Sequence, residues 1–143
     1  MRKGGLINMN KMEYESNEEK ILYNRISEII HNIGIPAHIR GYEYIKEAIL
    51  MTVYNKKKIN KLNKLIYLEI ANKNHTTKSA VERAMRRAIE IAWVRGDIDT
   101  IHEIFANTID PQKGKPTNKE FIAMIANKVR AEVEHILEMM ADE

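Results

Sequence analysis

The stretch Ala71-Asn72-Lys73-Asn74-His75-Thr76-Thr77-Lys78-Ser79-Ala80-Val81-Glu82-Arg83-Ala84-Met85-Arg86-Arg87-Ala88-Ile89-Glu90-Ile91-Ala92-Trp93-Val94-Arg95 decides the fold. On a wheel of about 100° per residue, Val81, Ala84, Met85, Ala88, Ile89 and Ala92 fall in one arc, which predicts a buried helical face. Ser79, Glu82, Arg83, Arg86, Arg87 and Glu90 occupy the opposite arc. The spacing predicts a helix over Lys78–Arg95, closed by Gly96. Ala71 and Val81 stand ten positions apart. A helix-turn-helix unit uses that separation for the small residue where its helices touch and the apolar residue beneath the second. His75 falls where the turn needs unusual backbone angles, which histidine tolerates moderately. Thr77 is placed to cap the second helix, its hydroxyl accepting from free amides.

The flanking sequence is also helical in period. A first helix is expected from Ser16, with Glu19 completing a capping box. Leu22, Ile26, Ile29, Ile30 and Ile33 form its stripe, and Gly34 with Pro36 stops it. A second begins near Gly41 and turns Tyr42, Ile45, Ala48, Ile49, Thr52 and Val53 inward, with Lys56-Lys57-Lys58 at its end. Leu62, Leu65, Ile66, Ile70 and Ala71 make a short third helix. A short helix follows over about Asp99–Phe105, then a loop over Asp110–Lys115 and a last helix over about Asn118–Met140. An all-α domain is expected over residues 16–143, with residues 1–15, which lack periodicity, as a mobile arm.

The 143 residues suit one domain, and 44% hydrophobic with 30% charged residues is a globular composition. The absence of cysteine excludes disulfides, thiolate metal sites and cysteine nucleophiles. No apolar run approaches the roughly 20 residues of a membrane span, and the start lacks a signal-peptide core, so a cytoplasmic protein is expected. The formal charge of +3 conceals a strong asymmetry. Residues 1–55 are neutral, residues 56–95 carry 11 Lys/Arg against 3 Glu, and residues 96–143 carry 5 Lys/Arg against 10 Asp/Glu. A basic middle of this kind suits an anionic partner, most commonly nucleic acid.

A helix fits the major groove of a duplex, where arginine pairs bidentately with guanine and glutamate accepts from cytosine. Arg83, Arg86, Arg87 and Glu82 supply those groups on one exposed face. Lys56, Lys57, Lys58, Lys61, Lys64, Lys73 and Lys78, with the hydroxyls of Thr76 and Thr77, are the expected phosphate contacts, which set position and not sequence. The competing reading is a core helix with a charged outer side. The Ala71/Val81 spacing, the threonine cap and the basic segment together favour double-stranded DNA as partner.

At these residues the chain resembles the C-terminal DNA-binding effector domain of the sporulation-initiating response regulator of endospore-forming bacteria. The matching stretches are Gly34-Ile35-Pro36-Ala37-His38-Ile39-Arg40-Gly41-Tyr42, Val81-Glu82-Arg83-Ala84-Met85-Arg86, Ala88-Ile89-Glu90-Ile91-Ala92-Trp93 and Arg95-Gly96-Asp97-Ile98-Asp99. Gly114-Lys115-Pro116-Thr117-Asn118-Lys119-Glu120-Phe121-Ile122-Ala123-Met124 matches as well. The resemblance implies a six-helix domain that reads boxes of the TGTCGAA kind, with copies in tandem on adjacent boxes. It implies base contacts from Ala80, Glu82 and Arg83, with Ser79, Arg86 and Arg87 beside them. It also implies a contact to the RNA polymerase sigma factor through Arg95 to Phe105, with Arg95, Asp97, Asp99, His102 and Glu103 as the contacting residues. A nucleoid-associated location follows from the same resemblance.

Three substitutions depart from the family pattern. Ala80 stands where an arginine usually reads guanine, and Arg87 replaces a usual histidine. Asn74 stands where the turn generally has an aromatic. The family normally carries a phosphate-accepting receiver domain upstream, and here only the short arm precedes the effector domain. The aspartyl-phosphate switch is therefore not expected to operate within this polypeptide. Ala80 and the missing receiver motivate an alternative, a protein–protein module that modulates a full-length homologue or RNA polymerase without specific DNA binding of its own.

Enzyme and metal readings are weaker. Glu28-x-x-His31 and Glu132-x-x-His135 spell half of a di-iron pattern, but Glu28 and His31 lie away from the apolar arc of their helix. His102-Glu103 lacks the second histidine of a zinc protease, because Ala106 occupies that position. Gly114-Lys115-Pro116 lacks the residues of a phosphate loop. No catalytic residue, metal or cofactor is expected.

Overall fold

Residues 2–105 and 114–141 are described by the structure, a computed structural model. Helix α1 spans Arg2–Ile33. It starts earlier than the expected capping box, and Ser16 lies inside it. Residues 6–15 are rich in Leu, Met, Lys and Glu, good helix formers, and contain no proline. Leu22, Ile26, Ile29, Ile30 and Ile33 are buried as their spacing requires. Gly34 ends the helix with φ of +109°, a left-handed angle glycine takes at low cost. The amides of Gly34 and Ile35 then reach the Ile30 carbonyl at 3.3 and 3.2 Å, closing a Schellman turn.

Helix α2, Arg40–Tyr54, is the centre of the fold and packs against α1, α4 and α6. Tyr42, Ile45, Ala48, Ile49 and Thr52 are buried, and Val53 packs at the edge of the core. The Thr52 hydroxyl is satisfied by donating to the Ala48 carbonyl at 2.8 Å. Lys46 is also buried, at 5% exposure. Its ammonium lies 3.9 Å from the Tyr23 ring centroid and 4.9 Å from that of Tyr42, with Glu43 at 3.6 Å. A buried cation is tolerable when aromatic faces and a carboxylate replace its water.

Lys56–Lys61 form a 3-10 turn and Leu62–Ile66 a π turn, which lead into α3, Tyr67–Lys73. The third helix is thus shorter than its apolar spacing suggests. Ile66, Ile70 and Ala71 are buried, but Leu65 is 41% exposed. The wider π turn shifts the angular phase and carries Leu65 outward.

Helix α4 covers Lys78–Arg95 and α5 covers Ile98–Phe105. Asp97 caps α5, accepting from the Asp99 amide at 3.0 Å and the Thr100 hydroxyl at 3.1 Å. Much of the expected loop at Asp110–Lys115 lies outside the described residues. Helix α6, Asn118–Ala141, opens with a reciprocal capping box between Thr117 and Glu120 at 3.1 and 3.2 Å. Phe121, Ile122, Ile125, Ala126, Val129 and Val133 bury its inner face. Trp93, Phe105 and Phe121 form one aromatic cluster, with centroids 5.4–6.2 Å apart. The all-α expectation is realised, and the described residues contain six α-helices, the number that the resemblance implies. Among the described residues no helix is long and apolar enough to cross a membrane.

Candidate nucleic-acid interface

Helices α3 and α4 form the helix-turn-helix. Ala71 and Val81 are buried where the two helices meet, at 2% and 0% exposure. The Thr76 amide donates to the Ala71 carbonyl at 2.9 Å, closing α3 around His75. His75 has φ of +54°, the left-handed angle expected of the turn. The side-chain amide of Asn74 also donates to the Ile70 carbonyl at 2.8 Å, so this residue closes the helix as well. Thr77 caps α4, its hydroxyl accepting from the Ala80 amide at 3.1 Å.

The two faces of α4 separate cleanly. Val81, Met85, Ala88, Ile89 and Ala92 are buried, with Ala84 packed at their margin. Ser79, Arg83, Arg86 and Arg87 are exposed, whereas Ala80 and Glu82 are half-buried. Arg83 donates through Nε to the Ser79 carbonyl at 3.3 Å, and Arg86 pairs with Glu82 at 3.0 Å. These contacts hold the guanidinium groups along the ridge without covering them. Glu90 pairs with Lys115, which enters from the segment before α6 and holds the Glu90 carboxyl below its usual range.

The expected phosphate contacts divide into two groups. Lys58 pairs with Glu69 at 2.7 Å and Lys73 with Glu47 at 3.1 Å. Lys56, Lys57, Lys61, Lys64 and Lys78 are exposed and make no ion pair among the described residues. Lys73, Thr76, Thr77 and Lys78 cluster around the start of α4, Thr76 half-buried and Thr77 committed to its cap.

On the segment after α4, Arg95, Asp97, Asp99, His102 and Glu103 are all exposed. Val94 and Ile98 beside them are 83% and 67% exposed. Asp97 is spent on capping α5. Glu28 and His31 face solvent, and Glu132 is bound to Arg25 and Lys128. Among the described residues no three potential ligands converge to hold a metal ion.

One buried polar network escaped the sequence reading. Asn118, 9% exposed, donates through Nδ2 to the Tyr67 hydroxyl at 3.0 Å and to the Glu82 carbonyl at 3.2 Å. Burial raises the Tyr67 hydroxyl above its ordinary pKa. The only hint in the sequence is Asn118 at a predicted helix start, which on its own suggests a cap.

Residues 26–129 match the family described as Sporulation initiation factor Spo0A C terminal. The match runs from the apolar half of α1 through the helix-turn-helix and into α6, and takes in most of the chain. This is a family of DNA-binding transcription-factor domains, and not of enzymes. With its helical architecture, its left-handed turn at His75 and its exposed arginine ridge, the chain belongs to the Spo0A C-terminal family of DNA-binding sporulation regulators.

Proposed function

We propose that the chain is a sequence-specific transcription regulator that lays α4 in the major groove of short boxes of the TGTCGAA kind. The observation that carries this reading is the division of α4 between a buried apolar face and an exposed face bearing Ser79, Arg83, Arg86 and Arg87. Glu82 and Arg83 supply an acceptor and a bidentate donor to base edges, with Ser79, Ala80, Arg86 and Arg87 alongside. Lys56, Lys57, Lys61, Lys64 and Lys78 are exposed, make no ion pair among the described residues and are suited to phosphates, with Lys58, Lys73, Thr76 and Thr77 supporting them. The exposed segment of Arg95, Asp97, Asp99, His102 and Glu103 is the proposed contact to the RNA polymerase sigma factor, and copies bind in tandem on adjacent boxes. Action at the nucleoid follows from this reading.

Ala80 favours a second reading. An alanine makes no bidentate contact to guanine, and losing one such pair removes about 1–3 kcal/mol of discrimination. On that reading the chain is a protein–protein module acting on a full-length homologue or on RNA polymerase. The two are separated by comparing the natural chain with Ala80→Arg on a TGTCGAA duplex and on its scrambled counterpart. Preference for the box in the natural chain supports the first reading. Preference only in the variant supports the second.

A further inference from the structure

We propose that Asn118 and Tyr67 form a positioning latch that sets the angle of α4 against α3 and thereby the base discrimination of the ridge. The inference rests on the DNA-reading function proposed above. Three elements meet at one amide. Asn118 opens α6, Tyr67 opens α3, and the Glu82 carbonyl belongs to the second turn of α4. Nδ2 of Asn118 bridges the last two, at 3.0 Å to the Tyr67 hydroxyl and 3.2 Å to the Glu82 carbonyl.

The place of the contact matters more than its strength. The Glu82 carbonyl lies on the backbone beneath Glu82 and Arg83, the residues proposed to meet base edges. Beside it, the buried side chains of Ile66 in the π turn, Ile70 and Ala71 in α3, and Val81 and Met85 in α4 belong to one apolar cluster. Hydrophobic burial is itself non-directional. A bridging hydrogen bond is directional and weakens steeply when misaligned. The latch therefore adds a directional constraint on the rotation of α4 to the packing of its buried face. Bidentate pairing to guanine needs that rotation, and phosphate contacts from flexible lysines do not.

The capping box of Thr117 and Glu120 anchors the start of α6, so Asn118 is held by the backbone that presents it. Lys115, two residues before that box, also reaches across to Glu90 on α4. The start of α6 thus touches α4 at two successive levels, Glu82 and Glu90, on the side flanking the ridge.

The test uses the full chain, a duplex selected by the natural protein from a random pool, and a scrambled duplex. Tyr67→Phe removes only the hydroxyl, and Asn118→Leu replaces the amide by an apolar group of similar size. Melting temperature and far-ultraviolet circular dichroism monitor folding, and Tyr67→Phe serves if the other variant does not fold. One net hydrogen bond corresponds to roughly two- to tenfold in an equilibrium constant. The expected result is a loss of about that size in the selected-to-scrambled affinity ratio, with affinity for scrambled DNA unchanged. The double variant should lose no more than Asn118→Leu alone. An unchanged ratio in folded Tyr67→Phe, or an equal loss on both duplexes, overturns the latch and leaves the DNA reading standing. A natural chain that selects no sequence overturns both.

Discussion

Gly41 of α2 lies directly against the Ala84 carbonyl of α4: a Cβ at position 41 would stand 2.2 Å from that oxygen and 2.8 Å from the Ala88 methyl. The two helices approach so closely because one offers no side chain and the other offers alanines. This crossing presses the inner face of α4 onto the core and leaves its outer face free.

Gly41→Ala should therefore destabilise the protein although alanine favours helices. The nearest clashing atoms are the Ala84 carbonyl and the Ala88 methyl, neither of which can rotate away, so α4 must shift. A cost of about 1–3 kcal/mol, the usual scale of overpacking, should appear in denaturant unfolding.

The turn makes a second prediction. His75 holds a left-handed angle that β-branched residues strongly resist. His75→Val should be less stable than His75→Gly by about 1–2 kcal/mol, measured as the difference between their unfolding midpoints.

The pairing of Arg25 with Glu132, with Nη2 to Oε1 at 3.0 Å, links α1 to α6 and sets a pH dependence. The hydrogen bond from Arg25 holds the Glu132 carboxyl below its ordinary 4.5. Its contribution is complete above that value and is lost as pH falls through the lower folded-state value. An ion pair this accessible contributes about 0.5–1 kcal/mol. Glu132→Gln should melt below the natural protein near neutral pH, and the two curves should converge as pH drops below 4.5.

The ridge and the lysines should respond differently to substitution. Arg83→Ala should weaken binding to a selected duplex by roughly 1–3 kcal/mol and relax the preferred sequence. Lys57→Ala, which removes an exposed cation, should weaken selected and scrambled DNA alike and lower the salt slope by about 1. Titrations at several salt concentrations separate the two.

The helix-turn-helix was legible because every device in it is local. The α4 wheel, the Thr77 cap, the angle at His75 and the burial of Ala71 and Val81 each follow from residues close by in the chain. What the sequence concealed depends on distant partners. Lys46 reads as a surface lysine until Tyr23 arrives from α1. Arg130 reads as solvated until it is seen donating to the Thr52 and Val53 carbonyls that end α2. Burial and its hydrogen bond to Glu43 raise Tyr23 to about 12, a perturbation that no local pattern announces. The start of α1 differs from the capping box at Ser16 for another reason, since Ser-x-x-Glu inside a helix spells the same as one at its end. At the site, the arginines were visible by period, whereas the pairing of Lys58 and Lys73 with Glu69 and Glu47 was not.

The central claim is that the exposed side of α4 reads bases and does not merely attract phosphates. Selection from a random duplex pool by the purified chain, at moderate salt, tests it most directly. Enrichment of one short box, weakened and broadened by Arg83→Ala and retained by Lys57→Ala, is the predicted result. A recovered pool with the base composition of the starting library would contradict it.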